Sequence, residues 1–130
     1  EEDLRYGLRE NVKGNKLAKT PEFTADVNFI YETDLPSGNS LTAIVQYVKR
    51  GKFMQRVSNN QIVDAIPGYD IVNFTVGIDY NNNIGLDLML LNATDEDGVN
   101  SSMTDVFGVA STGLELIPPR QFMTRISYKF

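Results

Sequence analysis

Hydrophobic and polar residues alternate with a period of two along most of the chain, and in five places the alternation lasts long enough to predict a β-strand. In residues 22–32, Phe23, Ala25, Val27, Phe29 and Tyr31 share one face, and Glu22, Thr24, Asp26, Asn28, Ile30 and Glu32 the other. Residues 40–50 set Leu41, Ala43, Val45 and Tyr47 against Ser40, Thr42, Ile44, Gln46, Val48 and Arg50. In residues 71–80, Val72, Phe74, Val76, Ile78 and Tyr80 oppose Asn73, Thr75, Gly77 and Asp79. Residues 84–92 place Ile84, Leu86, Leu88 and Leu90 opposite Gly85, Asp87, Met89 and Leu91. Residues 121–130 place Phe122, Thr124, Ile126, Tyr128 and Phe130 opposite Gln121, Met123, Arg125, Ser127 and Lys129. The expected fold is all-β, an antiparallel up-and-down sheet of five strands.

The connections alternate in length. Residues 33–39 contain Pro36, Ser37 and Gly38, and residues 81–83 are three asparagines, a composition suited to a tight turn with positive φ. Residues 51–70 and 93–120 are long and rich in Asn, Ser, Gly and Pro. Successive connections of an up-and-down sheet lie at opposite ends of the strands, which predicts one rim of short turns and one of long loops. Alternation alone allows two architectures. A soluble sandwich or small barrel turns the apolar face inward, whereas a membrane barrel turns it outward to lipid and lets the polar face line water. Tyr31, Tyr80, Tyr128 and Phe130 fall on the apolar face at the short-turn end, where a lipid-facing strand carries its interfacial aromatic belt. The small or hydrated side chains Thr24, Asp26, Asn28, Asn73, Thr75, Gly77 and Asp79 on the other face suit a watery lumen.

Composition narrows the chemistry. The 130 residues include no histidine and no cysteine, which removes His- and Cys-based nucleophile arrangements, His or Cys metal sites and disulfides. With 12 Lys plus Arg against 17 Asp plus Glu, the net charge of -5 argues against a nucleic-acid partner. The longest apolar run, residues 88–91, is too short for a helix to span a bilayer, which takes about 20 apolar residues. The acidic opening Glu1, Glu2, Asp3 does not read as a secretory signal, so export would require a signal outside these residues.

Residues 117–130, Ile-Pro-Pro-Arg-Gln-Phe-Met-Thr-Arg-Ile-Ser-Tyr-Lys-Phe, resemble the closing strand of TonB-dependent outer-membrane receptors, which commonly begins from a Pro-Pro-Arg segment and ends on Phe. Asn92-Ala93-Thr94-Asp95 is similar to the family's Asn-Leu-x-Asp element, with Ala93 in place of Leu. Leu17 to Thr24 is similar to a Leu-x-x-x-Pro-x-Phe lead-in to an earlier strand, and Pro67-Gly68-Tyr69 holds the corresponding place before the third. The resemblance covers residues 14–130.

It implies a 22-stranded transmembrane barrel of the bacterial outer membrane that imports a scarce ligand such as an iron chelate, cobalamin or an oligosaccharide. Residues 1–21 would be an extracellular loop and strand lead-in, residues 22–130 five strands, and residues 51–70 and 93–120 extracellular loops. The plug domain and TonB box of the family are not among these residues. The implied partners are the rest of the barrel and its plug, TonB acting through that plug, the barrel-assembly machinery, and outer-membrane lipid and lipopolysaccharide. Phe122, Ile126, Tyr128 and Phe130 resemble the family's C-terminal assembly signal. The alternative is a soluble all-β domain that binds a ligand or protein and buries the same apolar faces against each other.

No catalytic, cofactor-binding or metal-ligating set is expected. Asp95-Glu96-Asp97-Gly98 is acidic but lacks the glutamate that completes an EF-hand loop, so a solvated loop is the expectation. Paired-carboxylate chemistry would require Asp26, Asp79 or Asp87 to converge in a closed pocket. The three Asn-x-Ser/Thr patterns are discounted as glycosylation sites, two lying in strands and the implied host being bacterial. Lys49, Arg50, Lys52 and Arg56 form a basic patch at the end of the second strand. With Phe53, Tyr69 and Phe107, the residues Arg50, Lys52 and Arg56 are candidate contacts for a ligand or for lipopolysaccharide phosphates.

Overall fold

The computed structural model describes residues 2–3, 10–81, 83–104 and 112–130, and the described residues contain strands and turns but no helix. In chain order the strands are β1 (Glu2–Asp3), β2 (Glu10–Asn11), β3 (Thr24–Asp34), β4 (Ser40–Arg50), β5 (Phe53–Met54), β6 (Ala65–Ile66), β7 (Tyr69–Tyr80), β8 (Ile84–Leu91), β9 (Val99–Thr104), β10 (Thr112–Leu116) and β11 (Gln121–Tyr128). The five long ones form a single sheet in the order β11-β8-β7-β4-β3, so each pairs with its neighbour in the chain sequence of long strands. The predicted all-β, antiparallel character is present, and the five predicted strands differ from the observed ones by no more than two residues at an end. The sheet is open, with β3 and β11 at its edges.

Two short turns close the hairpins. Between β3 and β4, the Leu35 amide donates to the Asn39 carbonyl at 2.8 Å and the Gly38 amide to the Leu35 carbonyl at 3.0 Å, with Gly38 at φ +79°. Between β7 and β8, Asn81 takes the positive φ expected of the asparagine run, at +49°. The Asn81 amide donates to Asn39 Oδ1 at 3.1 Å, which joins the two turns directly. Both short connections therefore share one rim, as the alternating loop lengths predict.

By contact in space the molecule divides into two units, Glu1–Thr24 with Arg50–Tyr69 and Asp97–Ile117, and Ala25–Lys49 with Asp70–Glu96 and Pro118–Phe130. The second unit is built on the sheet. The long connections, residues 51–70 and 93–120, contain the hairpins β5–β6 and β9–β10, both antiparallel. Their sequences lack the signal of a longer strand. Val-Asn-Ser-Ser-Met-Thr has no sustained alternation, and Thr-Gly-Leu-Glu-Leu alternates over too few positions to stand out.

Inside the first unit, residues 15–23 lie along residues 51–59. The Lys19 amide donates to the Met54 carbonyl, the Gly51 amide to the Phe23 carbonyl, and Lys16 and Asn59 exchange bonds between backbone and side chain. The approach is close enough to need glycine: a Cβ on Gly68 would stand 2.5 Å from the Arg50 carbonyl oxygen, and one on Gly51 would stand 2.9 Å from that of Phe23. Phe53, Met54 and Ile66 are the buried apolar residues among those described.

Asp64 organises this unit. Its side chain is fully buried; it accepts from Arg56 Nε, from Ser58 Oγ at 2.8 Å and from the Asn60 amide at 3.0 Å, while its carbonyl accepts from the Gln55 amide. A buried carboxylate persists only when its partners replace the water it has lost. Asp64→Ala is expected to destabilise residues 53–66 by about 3–5 kcal/mol by stranding the Arg56 guanidinium. Hydrogen exchange at the Gln55 and Asp64 amides measures it, and unchanged protection there would contradict the assigned role.

Candidate functional site

The most conspicuous surface is the apolar face of the sheet. The register places Phe74 and Phe122 on either side of Leu90, Val76 and Thr124 on either side of Leu88, Ile78 and Ile126 on either side of Leu86, and Tyr80 and Tyr128 on either side of Ile84. Apolar positions meet apolar positions because each strand alternates in phase with the next. Apart from the half-buried Leu90, these side chains are exposed, Leu88 at the centre by 53% and Phe122 on the edge strand by 80%, together with Val27, Phe29 and Tyr31 on β3. No described residue covers them. Tyr80, Tyr128 and Phe130 lie toward the short-turn rim, and the rings of Tyr128 and Phe130 meet edge-on with centroids 5.3 Å apart. The Lys129 amide donates to the Asn83 carbonyl, tying the chain end to the turn. Phe122, Ile126, Tyr128 and Phe130, the candidate assembly residues, are all exposed.

The opposite face is polar and cross-linked. Asn28 donates to Asp26, Gln46 donates to both oxygens of Asp26, Asn73 donates to Gln46 Oε1, and the Asn92 amide donates to Asn73 Oδ1, in bonds of 2.8–3.2 Å. Arg125 Nε donates to Asp87 Oδ2 at 2.8 Å. Glycines leave room for the larger groups beside them: a Cβ on Gly77 would stand 2.5 Å from Asp87 Oδ1, and one on Gly85 would stand 2.5 Å from Ser127 Oγ. At the short-turn rim an open hollow of about 420 Å³ is bordered by Glu32, Asp34 and Asp79. Asp26, Asp79 and Asp87 stand on three different strands and do not converge in a closed pocket. Among the described residues no cluster of three or more carboxylates has the arrangement of a metal site.

The candidate ligand contacts fall into the first unit, where most have internal partners. Phe53 is 3% exposed and belongs to the small core. The Arg50 guanidinium lies 4.4 Å from the centre of the Phe53 ring and donates to Asn100 Oδ1 at 2.8 Å. Arg56 is committed to Asp64. Tyr69 is half-buried, with its ring against Gly98, where a Cβ would come within 2.6 Å of it. Lys52 is exposed. Phe107 lies outside the described residues. Of the expected basic patch, Arg56 thus pairs with a carboxylate and Lys49 stands 4.0 Å from Asp70, whereas the partners of Arg50 are neutral.

The C-terminal segments read as motifs meet in space. The Arg120 amide donates to Asp95 Oδ1 at 3.0 Å and its guanidinium to Asp95 Oδ2 at 3.1 Å, while Asn92 Nδ2 donates to the Pro118 carbonyl at 3.1 Å. Asn92 is 3% exposed, and sequence reading missed its role, as it missed that of Asp64. A signal was available for Asn92 alone: Asn and Asp tolerate positive φ, and Asn92 and Asp95 take +47° and +57°.

Two carboxyls have lowered pKa values. Glu22 is held down by the hydrogen bond from the Lys16 ammonium, then by the charges of Lys16 and Lys52. Glu115 is held down by hydrogen bonds from Ser101 and Asn100, with a further contribution from the charge of Lys19. Ser101 and Glu115 are opposite in the β9–β10 register, so the ionised carboxylate fastens that hairpin. Because the folded-state value is lowered, the stabilisation is present above the ordinary 4.5 and lost as pH falls through the lowered value. A carboxyl-carbon NMR titration should give Glu115 a midpoint below 4.5 that rises toward it in Ser101→Ala; an unmoved midpoint would remove Ser101 as the cause.

Comparison of the chain with protein-family models, curated proteins and solved structures finds no match in any of the three.

Proposed function

We propose that this chain supplies the C-terminal strands of a TonB-dependent outer-membrane transporter, an integral barrel of 22 strands that takes up a scarce ligand such as an iron chelate, cobalamin or an oligosaccharide. The observation that carries the reading is the open apolar face, in register across β7, β8 and β11 and edged with Tyr80, Tyr128 and Phe130. A lipid-facing strand needs alternate apolar side chains pointing outward, an aromatic girdle at the interface and hydrated residues on the inner face. The network from Asp26 to Asn92 provides the last. The open edges β3 and β11 are consistent with it, because unpaired backbone groups are not tolerated in hydrocarbon and five strands are fewer than the roughly eight needed to close a barrel.

In this reading the short-turn rim is periplasmic and residues 51–70 and 93–120 are extracellular. Ligand is captured on the extracellular side, and energised rearrangement of a plug carried elsewhere in the protein admits it. The soluble binding domain uses the same strands but requires the apolar face to be covered. Residues 1–130 expressed alone should be insoluble or aggregated without detergent. A monodisperse product that unfolds cooperatively in detergent-free buffer would overturn the transporter reading in favour of the soluble one.

The edge position of β11 generates a second expectation. In the full-length protein, deleting Phe130 or replacing Tyr128 and Phe130 with serine should lower the heat-modifiable folded receptor in outer membranes severalfold, whereas Ser127→Ala on the polar face should leave it near normal. Equal yields from all variants would show that the terminal aromatics are not an assembly signal.

A further inference from the structure

The alternation that orients β11 does not fix its register. Phe122, Thr124, Ile126 and Tyr128 face the same way and meet Leu90, Leu88, Leu86 and Ile84; a slip of two residues in either direction keeps every side chain on its own face. Along the ladder, the specific polar contacts between the strands are the ion pair of Arg125 with Asp87, whose arginine is largely exposed, and the exposed bond from Asn83 Nδ2 to the Lys129 carbonyl at the far end, and exposed contacts discriminate weakly. A more deeply buried contact stands at the start of the strand, where it can distinguish the native pairing from its near-equivalents.

We propose that the contact between residues 92–95 and residues 118–120 is a register clamp for the last strand, fixing Gln121 opposite Leu91 before the rest of the ladder forms. Pro118 and Pro119 have no amide to donate, so they block extension of the ladder ahead of the strand. Directly after them, Arg120 is gripped at both its amide and its guanidinium by the carboxylate of Asp95. Asn92, the residue after β8, has its full side-chain hydrogen-bonding capacity engaged: Nδ2 donates to the carbonyls of Glu96 and Pro118, and Oδ1 accepts from the Glu96 amide and, at 3.4 Å, from the Thr94 hydroxyl. Its own amide donates to Asn73 on β7, so the clamp is anchored to the strand on the far side of β8. A two-residue slip would carry Pro118 and Arg120 away from these groups and leave a buried amide without its partner, whereas the apolar face would be unaltered. The inference holds whether that face meets lipid or protein.

Residues 1–130 contain no cysteine, so engineered pairs are the only thiols among them. In the full-length protein, cysteines at Leu88 and Thr124 report the native register, and cysteines at Leu88 with Phe122 or with Ile126 report the two slipped ones; dibromobimane bridges whichever pair is adjacent. Without further change, only the first pair should be bridged. Asn92→Asp keeps the tolerance of positive φ and the acceptor for Glu96 but loses both donors, and with Arg120→Ala it should lower the native-to-slipped ratio roughly tenfold. Arg125→Ala should lower it much less. A ratio unchanged in the clamp variant, or lowered as far by Arg125→Ala, overturns the proposal. Should the clamp variant not assemble, Asp95→Asn, which keeps an oxygen for the Arg120 amide, carries the same test: a shift toward the slipped pairs supports the clamp, and an unchanged ratio overturns it.

Discussion

The sheet depends on an apolar face that is in phase across β7, β8 and β11 and largely exposed. Removing a large aliphatic or aromatic side chain from water is worth about 1.5–3 kcal/mol, so a face carrying Val76, Ile78, Leu86, Leu88, Phe122 and Ile126 side by side forgoes a large stabilisation until something apolar lies against it. The described residues do not provide that cover. Their small core is elsewhere, at Phe53, Met54 and Ile66. Among the described residues the face therefore stays exposed, and the proposal of a lipid-facing sheet rests on that exposure.

The polar face solves a different problem. Water-facing strands gain little from burial, so their side chains are held by hydrogen bonds that step from strand to strand, from Asp26 through Gln46 and Asn73 to Asn92. Gly77 and Gly85 matter because they create space: Asp87 and Ser127 fill the room a side chain would have taken. The same logic governs the first unit, where the Arg56–Asp64 pair and the glycine crossings at residues 51 and 68 do the work that a larger apolar core would do elsewhere. Ion pairs of this kind are specific but intolerant of losing one member.

Strands, faces and short turns were legible in the sequence because a period of two is a one-dimensional signal, and because Pro36-Ser37-Gly38 and the asparagines of residues 81–83 carry turn chemistry in their own side chains. The hairpins β5–β6 and β9–β10 were not legible. They are short, and what holds them is pairing between distant residues, Phe53 with Ile66 and Ser101 with Glu115. The same limit applies to the candidate contacts. Arg50, Phe53 and Arg56 have the composition of a binding patch, but their partners Asn100 and Asp64 lie many residues away, and only the fold reveals that the groups are already engaged.

The hairpin β9–β10 has a further consequence for how the chain finds its fold. The β3–β4 and β7–β8 turns are short, and their strands can zip from the turn outward. Bringing β11 to β8, by contrast, requires the chain to close a loop over residues 92–120, and the entropic cost of closure rises with the logarithm of loop length, by about 0.6 kcal/mol for each doubling. A hairpin that sets Val99 opposite Leu116 takes most of that length out of the loop, leaving only residues 92–98 and 117–120 to be spanned. An element that looks like ornament on a loop is thus a kinetic shortcut, because it turns a distant encounter between strands into a nearly local one.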